Sequence, residues 1–312
     1  MIVSDYTAVI PVAGKGVRLL PYTQHCPKTM LYVAGRPIIA HILDQIELCG
    51  IKKVVFVVGY QKEVFIEFIQ KHYSHLEVEF VEQVEQKGLG HAIYLTKDAV
   101  KGPCLIVLGD TIIDGDLRPL LQNTHVGVGV KQVADPRRFG VVEMQGENII
   151  GFEEKPENPK SDIALIGAYS FANSQRLFDA LEKVILSGKT VKNEIQLTDA
   201  LSVLLEEKEW IVPVFMNNWF DCGTVEILLK TNQIFLDKAS HVPDKFLMNN
   251  SITDPCWIDE TAVLENCVLG PYVSVAEGSC LKDCSLQNAI VSAETKTEGK
   301  KGTSLILDKY TK

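Results

Sequence analysis

Residues 8–28 read AVIPVAGKGVRLLPYTQHCPK, and this stretch decides how the chain folds. It opens with the apolar run AVIPV, which predicts a buried strand. Gly14 and Gly16 follow almost at once, so the strand must end there in a turn. A glycine turn after a strand exposes backbone N–H groups and lets phosphate oxygens approach them closely. Arg18 and Lys28 add two positive charges to the same loop, which therefore predicts a site for a phosphate-bearing ligand.

Two common phosphate-binding loops do not fit this stretch. A P-loop requires Ser or Thr after its Gly-Lys pair, whereas Gly16 is followed by Val17, and the dinucleotide fingerprint requires a third glycine where Leu19 stands. A bare Gly-x-Gly indicates no more than a tight turn, but the full string G-x-G-x-R-L-x-P-x-T-x-x-x-P-K is far more specific. It resembles the signature of the sugar-1-phosphate nucleotidyltransferases, which include glucose-1-phosphate thymidylyltransferases and uridylyltransferases. That family usually has Thr after the second glycine, so Val17 departs from its pattern.

The composition is that of an ordinary globular protein and limits the possible functions. The 312 residues suffice for one large domain, alone or with an appendage. The net charge of −9 argues against general nucleic-acid binding, and no apolar run approaches the ~20 residues of a membrane-spanning helix. The N-terminus lacks the basic region of a secretory signal. Eight scattered cysteines without a C-x-x-C pair predict a reduced, cytoplasmic protein without a zinc site.

Strands and helices alternate along the first two thirds of the chain in units of roughly 25–30 residues. Apolar runs predict further strands after the first, with helices of amphipathic spacing between them. This alternation predicts an α/β fold with a mainly parallel, Rossmann-like sheet and helices on both faces. Together with the resemblance, it predicts a nucleotidyltransferase catalytic domain over residues 1–240. Ligands in such sheets bind beyond the carboxyl ends of the strands, where Gly14, Gln83 and Asp110 lie.

From about residue 250 the pattern changes to an apolar repeat with a period of six. Its members are Trp257, Val263, Leu269, Val275 and Leu281. Such a period is typical of a left-handed parallel β-helix with coils of ~18 residues, which we predict for residues 250–295. Ordinary irregular strands stay an open alternative, because two coils are too few to bury a core. Their exposed apolar end predicts a homo-oligomer. Residues 296–312 are expected to form a polar tail, much of it mobile apart from Leu305 to Leu307.

Further stretches match the same family in the order in which the family has them. The segment QVEQKGLGHA at 83–92 matches its base-binding segment, where a Gln amide offers a donor and an acceptor to a pyrimidine edge. The nucleotide-binding positions that the resemblance implies are Ala13, Gly14, Gly16, Gln83, Gly88 and Asp110. The implied sugar-binding positions are Gly140, Glu154, Lys155, Tyr169 and Glu194, with Lys155 holding the sugar phosphate. Taken alone each of these would be an ordinary residue, and it is their joint order that supports the inference.

Two aspartates match the metal-binding positions of the family. Asp110 ends a hydrophobic strand in LGD, and Asp221 lies in WFDCGT before a predicted helix. Each aspartate alone would be taken for a turn residue or a helix cap. Mg²⁺ is usually held by one or two carboxylates together with substrate phosphates, which suits two aspartates far apart in sequence. The resemblance therefore implies Mg²⁺ as the cofactor, bound by Asp110 and Asp221.

The resemblance implies an enzyme that joins a pyrimidine nucleoside triphosphate, dTTP or UTP, to a sugar 1-phosphate such as glucose 1-phosphate. An oxygen of the sugar phosphate would attack the α-phosphorus, and pyrophosphate would leave. The implied catalytic residues are Arg18, Lys28 and Lys155, whose charges face the growing negative charge. Two other classes stay open. A nucleotide-sugar-dependent glycosyltransferase is disfavoured by the intact loop at 14–28, and only Val17 points to a non-catalytic regulatory relative.

Overall fold

The structure is a computed structural model that describes residues 5–122, 125–191 and 193–310. Its contacts divide the chain into two compact units. Unit 1 contains residues 5–15 and 42–219, and unit 2 contains residues 16–41 and 220–310. The segment after the glycine turn thus belongs to the same unit as the C-terminal region.

The described residues form the following helices and strands. The helices are α1 (Ile38–Leu48), α2 (Lys62–His72), α3 (Leu89–Tyr94), α4 (Arg118–Leu121), α5 (Ser174–Ser187), α6 (Leu197–Glu206) and α7 (Val225–Lys238). The strands up to residue 221 are β1 (Thr7–Pro11), β2 (Tyr32–Val33), β3 (Arg36–Pro37), β4 (Lys53–Val58), β5 (Glu77–Glu82), β6 (Cys104–Val107), β7 (Thr111–Ile113), β8 (Val126–Gln132), β9 (Gly140–Gln145), β10 (Asn148–Glu154), β11 (Ile163–Phe171), β12 (Ile211–Phe215) and β13 (Trp219–Asp221). The C-terminal strands are β14 (Ser251–Ile252), β15 (Cys256–Ile258), β16 (Val263–Glu265), β17 (Val268–Leu269), β18 (Val273–Val275), β19 (Cys280–Lys282), β20 (Ser285–Val291), β21 (Lys296–Glu298) and β22 (Lys301–Leu307).

Unit 1 is built on a sheet whose centre is parallel, which confirms the predicted fold class. β1 pairs in parallel with β4 and β6, and β4 pairs in parallel with β5. β4 and β6 are almost completely buried, which is why they appear in the sequence as continuous apolar runs. Because parallel strands end at the same edge, the residues that follow β1, β5 and β6 share that edge. They are Ala13, Gln83 and Asp110.

The second half of the same sheet is mainly antiparallel. β11 pairs antiparallel with β6, β8 and β9, and β10 pairs antiparallel with β9. β10 is not predicted from the sequence, because its register shifts between Ile149 and Gly151 and this irregularity breaks the alternation of buried and exposed residues. The hairpin of β9 and β10 brings Gly140 opposite Glu154.

The helices of unit 1 bury their apolar faces against this sheet. α5 begins after Asn173, whose side-chain oxygen accepts from the Gln175 N–H at 3.0 Å, and it ends at Gly188 in the left-handed conformation. α5 and α6 contribute Leu177, Leu181, Leu201 and further residues to a core shared with β8 and β11. Among the described residues, no helix combines the length and the apolar character that crossing a membrane requires.

The C-terminal part of unit 2 stacks short parallel strands into coils. β14 pairs in parallel with β17 and β17 with β20, while β16 pairs with β19 and β19 with β21. Paired positions such as Ser251 and Val268 are about 17 residues apart, close to the predicted coil length of ~18. The repeat therefore forms stacked parallel strands and not irregular ones.

The predicted six-residue period is correct only in its second half. Leu269, Val275 and Leu281 are fully buried, but Val263 is 57% exposed. The inward positions of the first coil are taken instead by neighbours in the sequence, which are Cys256, Ile258 and Ala262. Free cysteines at 256, 267 and 284 lie in this core, as expected for small buried residues.

Strand pairing continues beyond residue 295, where we expected a polar tail to begin. β21 pairs with β19, and β22 pairs with β20 over the whole of its length. Ile306 and Leu307 are buried, so the aliphatic end of β22 supplies the burial that the polar residues before it cannot.

Candidate active site

The edge at the carboxyl ends of β1 and β5 brings together the predicted base-binding residues. Gln83 is buried directly after β5, and its Nε2 donates to the Gly88 carbonyl oxygen at 3.1 Å. The same Nε2 lies 3.2 Å from His91 Nδ1. Gln86 Nε2 donates to the Ala13 carbonyl oxygen at 2.9 Å. The chain after β1 is thereby tied to the loop that carries Gln83 and Gly88.

Gly88 stands where only glycine fits. Its φ is 99°, and a Cβ there would lie 2.6 Å from the Ile195 carbonyl oxygen and 2.8 Å from Glu194 Cβ. Two backbone hydrogen bonds of 2.8 Å join the Gly88 loop to the segment at Ile195. Ile195 N donates to the Lys87 oxygen, and Gly90 N donates to the Ile195 oxygen. The predicted base-binding loop and the segment of the predicted sugar-binding Glu194 are therefore built directly against each other.

The exposed Glu194 carboxylate is oriented by a buried amide. Gln196 is 5% exposed, and its Nε2 donates to Glu194 Oε2 at 3.2 Å. A few residues on, Asp199 forms an ion pair of 2.7 Å with Lys189 through Oδ1. Asp199 Oδ2 is buried without a hydrogen-bond partner among the described residues. The segment before α6 thus holds the exposed Glu194 carboxylate in place, whereas the buried Asp199 within α6 is paired with Lys189.

Lys155 occupies a strained backbone position at the end of β10. Its φ is 45°, in the left-handed region, and its N–H donates to the Phe139 carbonyl oxygen at 3.0 Å. Lys155 Nζ lies 3.0 Å from Glu154 Oε1, and Glu154 Oε2 accepts from Thr198 Oγ1 at 3.0 Å. A Cβ at Gly140 would meet Glu154 Oε2 at 3.2 Å. Gly140, Glu154 and Lys155 therefore form one contiguous group.

Tyr169 is influenced by the charges of both Glu154 and the predicted metal-binding Asp110. Tyr169 is buried, and its burial raises the pKa of the phenol. The negative charges of Glu154 and Asp110 raise that pKa further, so both carboxylates lie in the neighbourhood of the ring. The phenol is consequently a neutral hydroxyl at physiological pH.

The glycine turn itself is divided between the units. Gly14 is exposed, and a Cβ there would meet no atom within 4 Å, so packing does not require glycine at this position. Gly16 has a φ of 62°, and a Cβ there would lie 3.0 Å from Thr23 and from Lys28 Cβ. Thr23 is fully buried and donates to the Gly16 carbonyl oxygen at 2.9 Å. This contact fixes the loop that carries Lys28, while Val17 is 66% exposed and has no packing role.

Arg18 and Asp221 lie close together in unit 2. A Cβ at Gly223 would lie 2.9 Å from Arg18 Nη2 and 3.0 Å from Asp221 Oδ1, so these two atoms are within about 6 Å of each other. Glycine at 223 leaves the space that both side chains use. After this turn Thr224 caps α7 by accepting from the Ile227 N–H at 3.4 Å.

The donor set fits the chemistry of Mg²⁺ when a substrate supplies further ligands. In the part of the chain that the structure describes, no group of three or more His, Cys, Asp or Glu side chains could hold a metal by itself. Asp110 and Asp221 are half-buried carboxylates, the hard oxygen ligands that Mg²⁺ prefers in company with phosphate oxygens. This assignment stays a prediction.

Several residues of the site were not found from the sequence. Gln86, His91, Gln196 and Thr198 hold the predicted residues in place through the contacts described above. Gln86 and His91 stand within the segment QVEQKGLGHA at 83–92, but a motif does not reveal which side chain bonds which. Only the fold brings these pairs into contact.

The fold is that of an α/β protein whose predicted nucleotide-binding residues follow the carboxyl ends of its parallel strands. The chain belongs to the nucleotidyl transferase family, whose model matches residues 7–238. It is 36% identical over 259 residues to the bifunctional protein GlmU of Methanocaldococcus jannaschii, a match that covers 82% of this chain and 61% of the relative. It is 32% identical over 228 residues to the UTP–glucose-1-phosphate uridylyltransferase AglF of Haloferax volcanii, covering 70% of this chain and 92% of that one. The resemblance to the sugar-1-phosphate nucleotidyltransferases is thereby confirmed.

Solved structures agree with this assignment. A putative glucose-1-phosphate thymidylyltransferase from Bacillus anthracis matches with a TM-score of 0.67 and 26% identity, covering 78% of this chain and 99% of that chain. A UDP-glucose pyrophosphorylase complexed with UDP-glucose matches with a TM-score of 0.65 and 26% identity, covering 75% of this chain and 99% of that chain. The chain spans 61% of the length of its GlmU relatives.

Proposed function

We propose that this protein transfers a nucleotidyl group from dTTP or UTP to glucose 1-phosphate and releases pyrophosphate. The observation that supports this most is the packing of the base-binding loop at Gly88 against Glu194. A base bound on one side of that contact and a sugar bound on the other would lie at neighbouring positions, as the two ends of one nucleoside-diphosphate sugar require. Relatives named for uridylyl and thymidylyl transfer to glucose 1-phosphate support the choice of substrates.

The chemistry needs alignment and positive charge more than a protein nucleophile. Lys155 would hold the sugar phosphate so that one of its oxygens faces the α-phosphorus. Arg18 would stabilise the leaving pyrophosphate, with Lys28 beside it, because negative charge grows there in the transition state. The neutral Tyr169 hydroxyl and the Glu154 and Glu194 carboxylates would bind sugar hydroxyls.

Magnesium would be held by Asp110 and Asp221. When bound, Mg²⁺ would supply positive charge to the triphosphate oxygens. Asp110 and Asp221 would supply the carboxylate oxygens that hold the ion, and Arg18, Lys28 and Lys155 would act on the substrates directly.

A substrate matrix tests the proposal. Release of pyrophosphate is measured with dTTP, UTP, ATP and GTP, each crossed with several sugar 1-phosphates. We expect activity with both dTTP and UTP, because a single methyl group contributes roughly 1 kcal/mol of burial, or about fivefold discrimination. ATP and GTP should be poor substrates. No release with any pair would overturn the proposal, and a preference for a purine would overturn the base site alone.

A further inference from the structure

The hydrogen bonds of this site favour one orientation of the Gln83 amide. Gln83 is anchored after β5 by its N–H, which donates to the Val58 oxygen at 2.8 Å. Its side-chain Nε2 lies 3.1 Å from the Gly88 carbonyl oxygen. A carbonyl oxygen only accepts hydrogen bonds, so the nitrogen and not the oxygen of the amide must face Gly88. The flipped amide would place two oxygens against each other.

His91 takes the second hydrogen of the same nitrogen. Its Nδ1 lies 3.2 Å from Gln83 Nε2, and it can accept only when the ring is neutral and carries its proton on Nε2. Burial lowers the pKa of His91, and the charge of Lys87 lowers it further, against a smaller opposite effect of Glu85. The neutral ring is therefore the form present at neutral pH.

The two contacts leave a defined pattern for a ligand. Both N–H bonds of the amide are used, so Gln83 Oε1 remains as an acceptor. Among the described residues no hydrogen bond uses the Gly88 N–H, which remains as a donor in the same loop. Uracil and thymine present an N3–H donor beside the O4 acceptor, which complements this pair. Cytosine presents an N3 acceptor beside an amino donor, so both contacts would be reversed.

We propose that His91 is a positioning residue for base selection, which holds Gln83 so that the site binds uracil and thymine and rejects cytosine. The proposal rests on the proposed function, and it adds a discrimination among pyrimidines. With His91 in place, turning the amide around breaks two hydrogen bonds. Without His91 it breaks only the bond to Gly88, so a larger fraction of the protein presents the amide nitrogen to the base. The loss of one such hydrogen bond changes the equilibrium between the two amide orientations by about fivefold to tenfold.

The test compares His91→Leu with His91→Asn. Leucine removes the acceptor, whereas asparagine can place its Oδ1 where Nδ1 stood. The values of kcat/KM for UTP, dTTP and CTP are measured at neutral pH with saturating sugar 1-phosphate. We expect His91→Leu to lower the preference for UTP over CTP by about fivefold to tenfold, mainly through KM. His91→Asn should restore the wild-type preference.

Two outcomes would overturn the inference. One is an unchanged preference in a folded His91→Leu protein, and the other is an asparagine variant that discriminates no better than the leucine variant. His91→Ala replaces His91→Leu if leucine prevents folding. If the wild-type protein releases no pyrophosphate, the proposed function fails, and calorimetric binding of UTP and CTP to the same variants still decides the role of His91.

Discussion

Lys155 has both an unusual backbone conformation and a predicted role in binding the sugar phosphate. A non-glycine residue with a φ of 45° carries strain of about 1–2 kcal/mol, and such strain persists only where the surroundings fix it. Here the surroundings are the hydrogen bond to Phe139 and the ion pair with Glu154. The ion pair is partly exposed and contributes little to stability. We infer that the strain is retained because it places the ammonium group.

Substitutions at Lys155 should separate stability from activity. Lys155→Ala removes the charge and keeps the strain, whereas Lys155→Gly removes both. We expect the glycine variant to be more stable than the alanine variant by about 1 kcal/mol, measured by urea denaturation. Both should use sugar 1-phosphate poorly while binding the nucleotide almost normally. Calorimetry that showed equal losses for both ligands would remove Lys155 from the sugar-phosphate site.

The predicted metal site is tested by Asp110→Asn and Asp221→Asn. Each substitution keeps the shape of the side chain and removes its charge, so each should lower kcat by at least ~10²-fold. The control is Asp116→Asn, because Asp116 is a surface residue that pairs with Arg118 at 2.8 Å. We expect that variant to be nearly as active as the wild type. Near-normal activity of either test variant would exclude that aspartate from the site.

At the scale of elements, the base-binding loop and the segment before α6 should act as one structure. A Cβ in Gly88→Ala would collide with Glu194 and Ile195, so both segments must shift. We expect the KM for the nucleotide and the KM for sugar 1-phosphate to rise together in steady-state kinetics, by tenfold or more. Loss of nucleotide binding alone would show that the two segments move independently.

Gly102→Ala is the matched control for this prediction. Gly102 also has a positive φ, of 81°, but a Cβ there would meet no atom within 4 Å. That substitution should lower the free energy of unfolding by about 1 kcal/mol and leave both KM values unchanged. The comparison separates the strain of a positive φ from the collision that only Gly88→Ala causes.

The elements themselves were largely predictable, because burial imposes a period on the sequence. The parallel strands β1, β4 and β6 appear as apolar runs since both of their faces are covered. Prediction failed where geometry interrupts that period. In β10 a register shift at Ile149 breaks the alternation, and in the first coil Cys256 and Ile258 take the inward positions from Val263.

The candidate site was predictable as a set of residues but not as a set of contacts. The motif order identified Gln83 and Glu154, yet nothing in the sequence pairs Gln83 with His91 or Glu154 with Thr198. Those pairs depend on how loops and helix starts meet at one edge of the sheet. The positive φ of Lys155 likewise could not be predicted from the sequence, because lysine rarely adopts a positive φ.

At the scale of the whole chain, unit 2 joins two segments that are far apart in sequence. Residues 16–41, which carry Arg18 and Lys28, pack against the C-terminal coils. The Tyr32 hydroxyl donates to Glu277 of the coils at 3.3 Å, and the Ala34 N–H donates to Asn232 of α7, the helix before the coils, at 2.8 Å. The rings of His25 and Tyr310 lie 4.2 Å apart, and a Cβ at Gly35 would collide with Trp257. The coils therefore support the loop that carries the two predicted catalytic cations.

Removing the residues after Gly299 should release that loop, and Cys26 reports the release. The pKa of the Cys26 thiol is raised to about 11, mainly by burial and also by the charge of Asp308, with Lys309 opposing this in part. Truncation removes both charges, exposes the thiol and lowers its pKa, so more thiolate is present at pH 8. We expect iodoacetamide to label Cys26 several-fold faster, measured by peptide mass spectrometry, while pyrophosphate release falls.

The Tyr310→Ala variant should also label faster and release pyrophosphate more slowly, each by less than the truncated protein. Unchanged labelling and activity would show that the last strand does not support the loop.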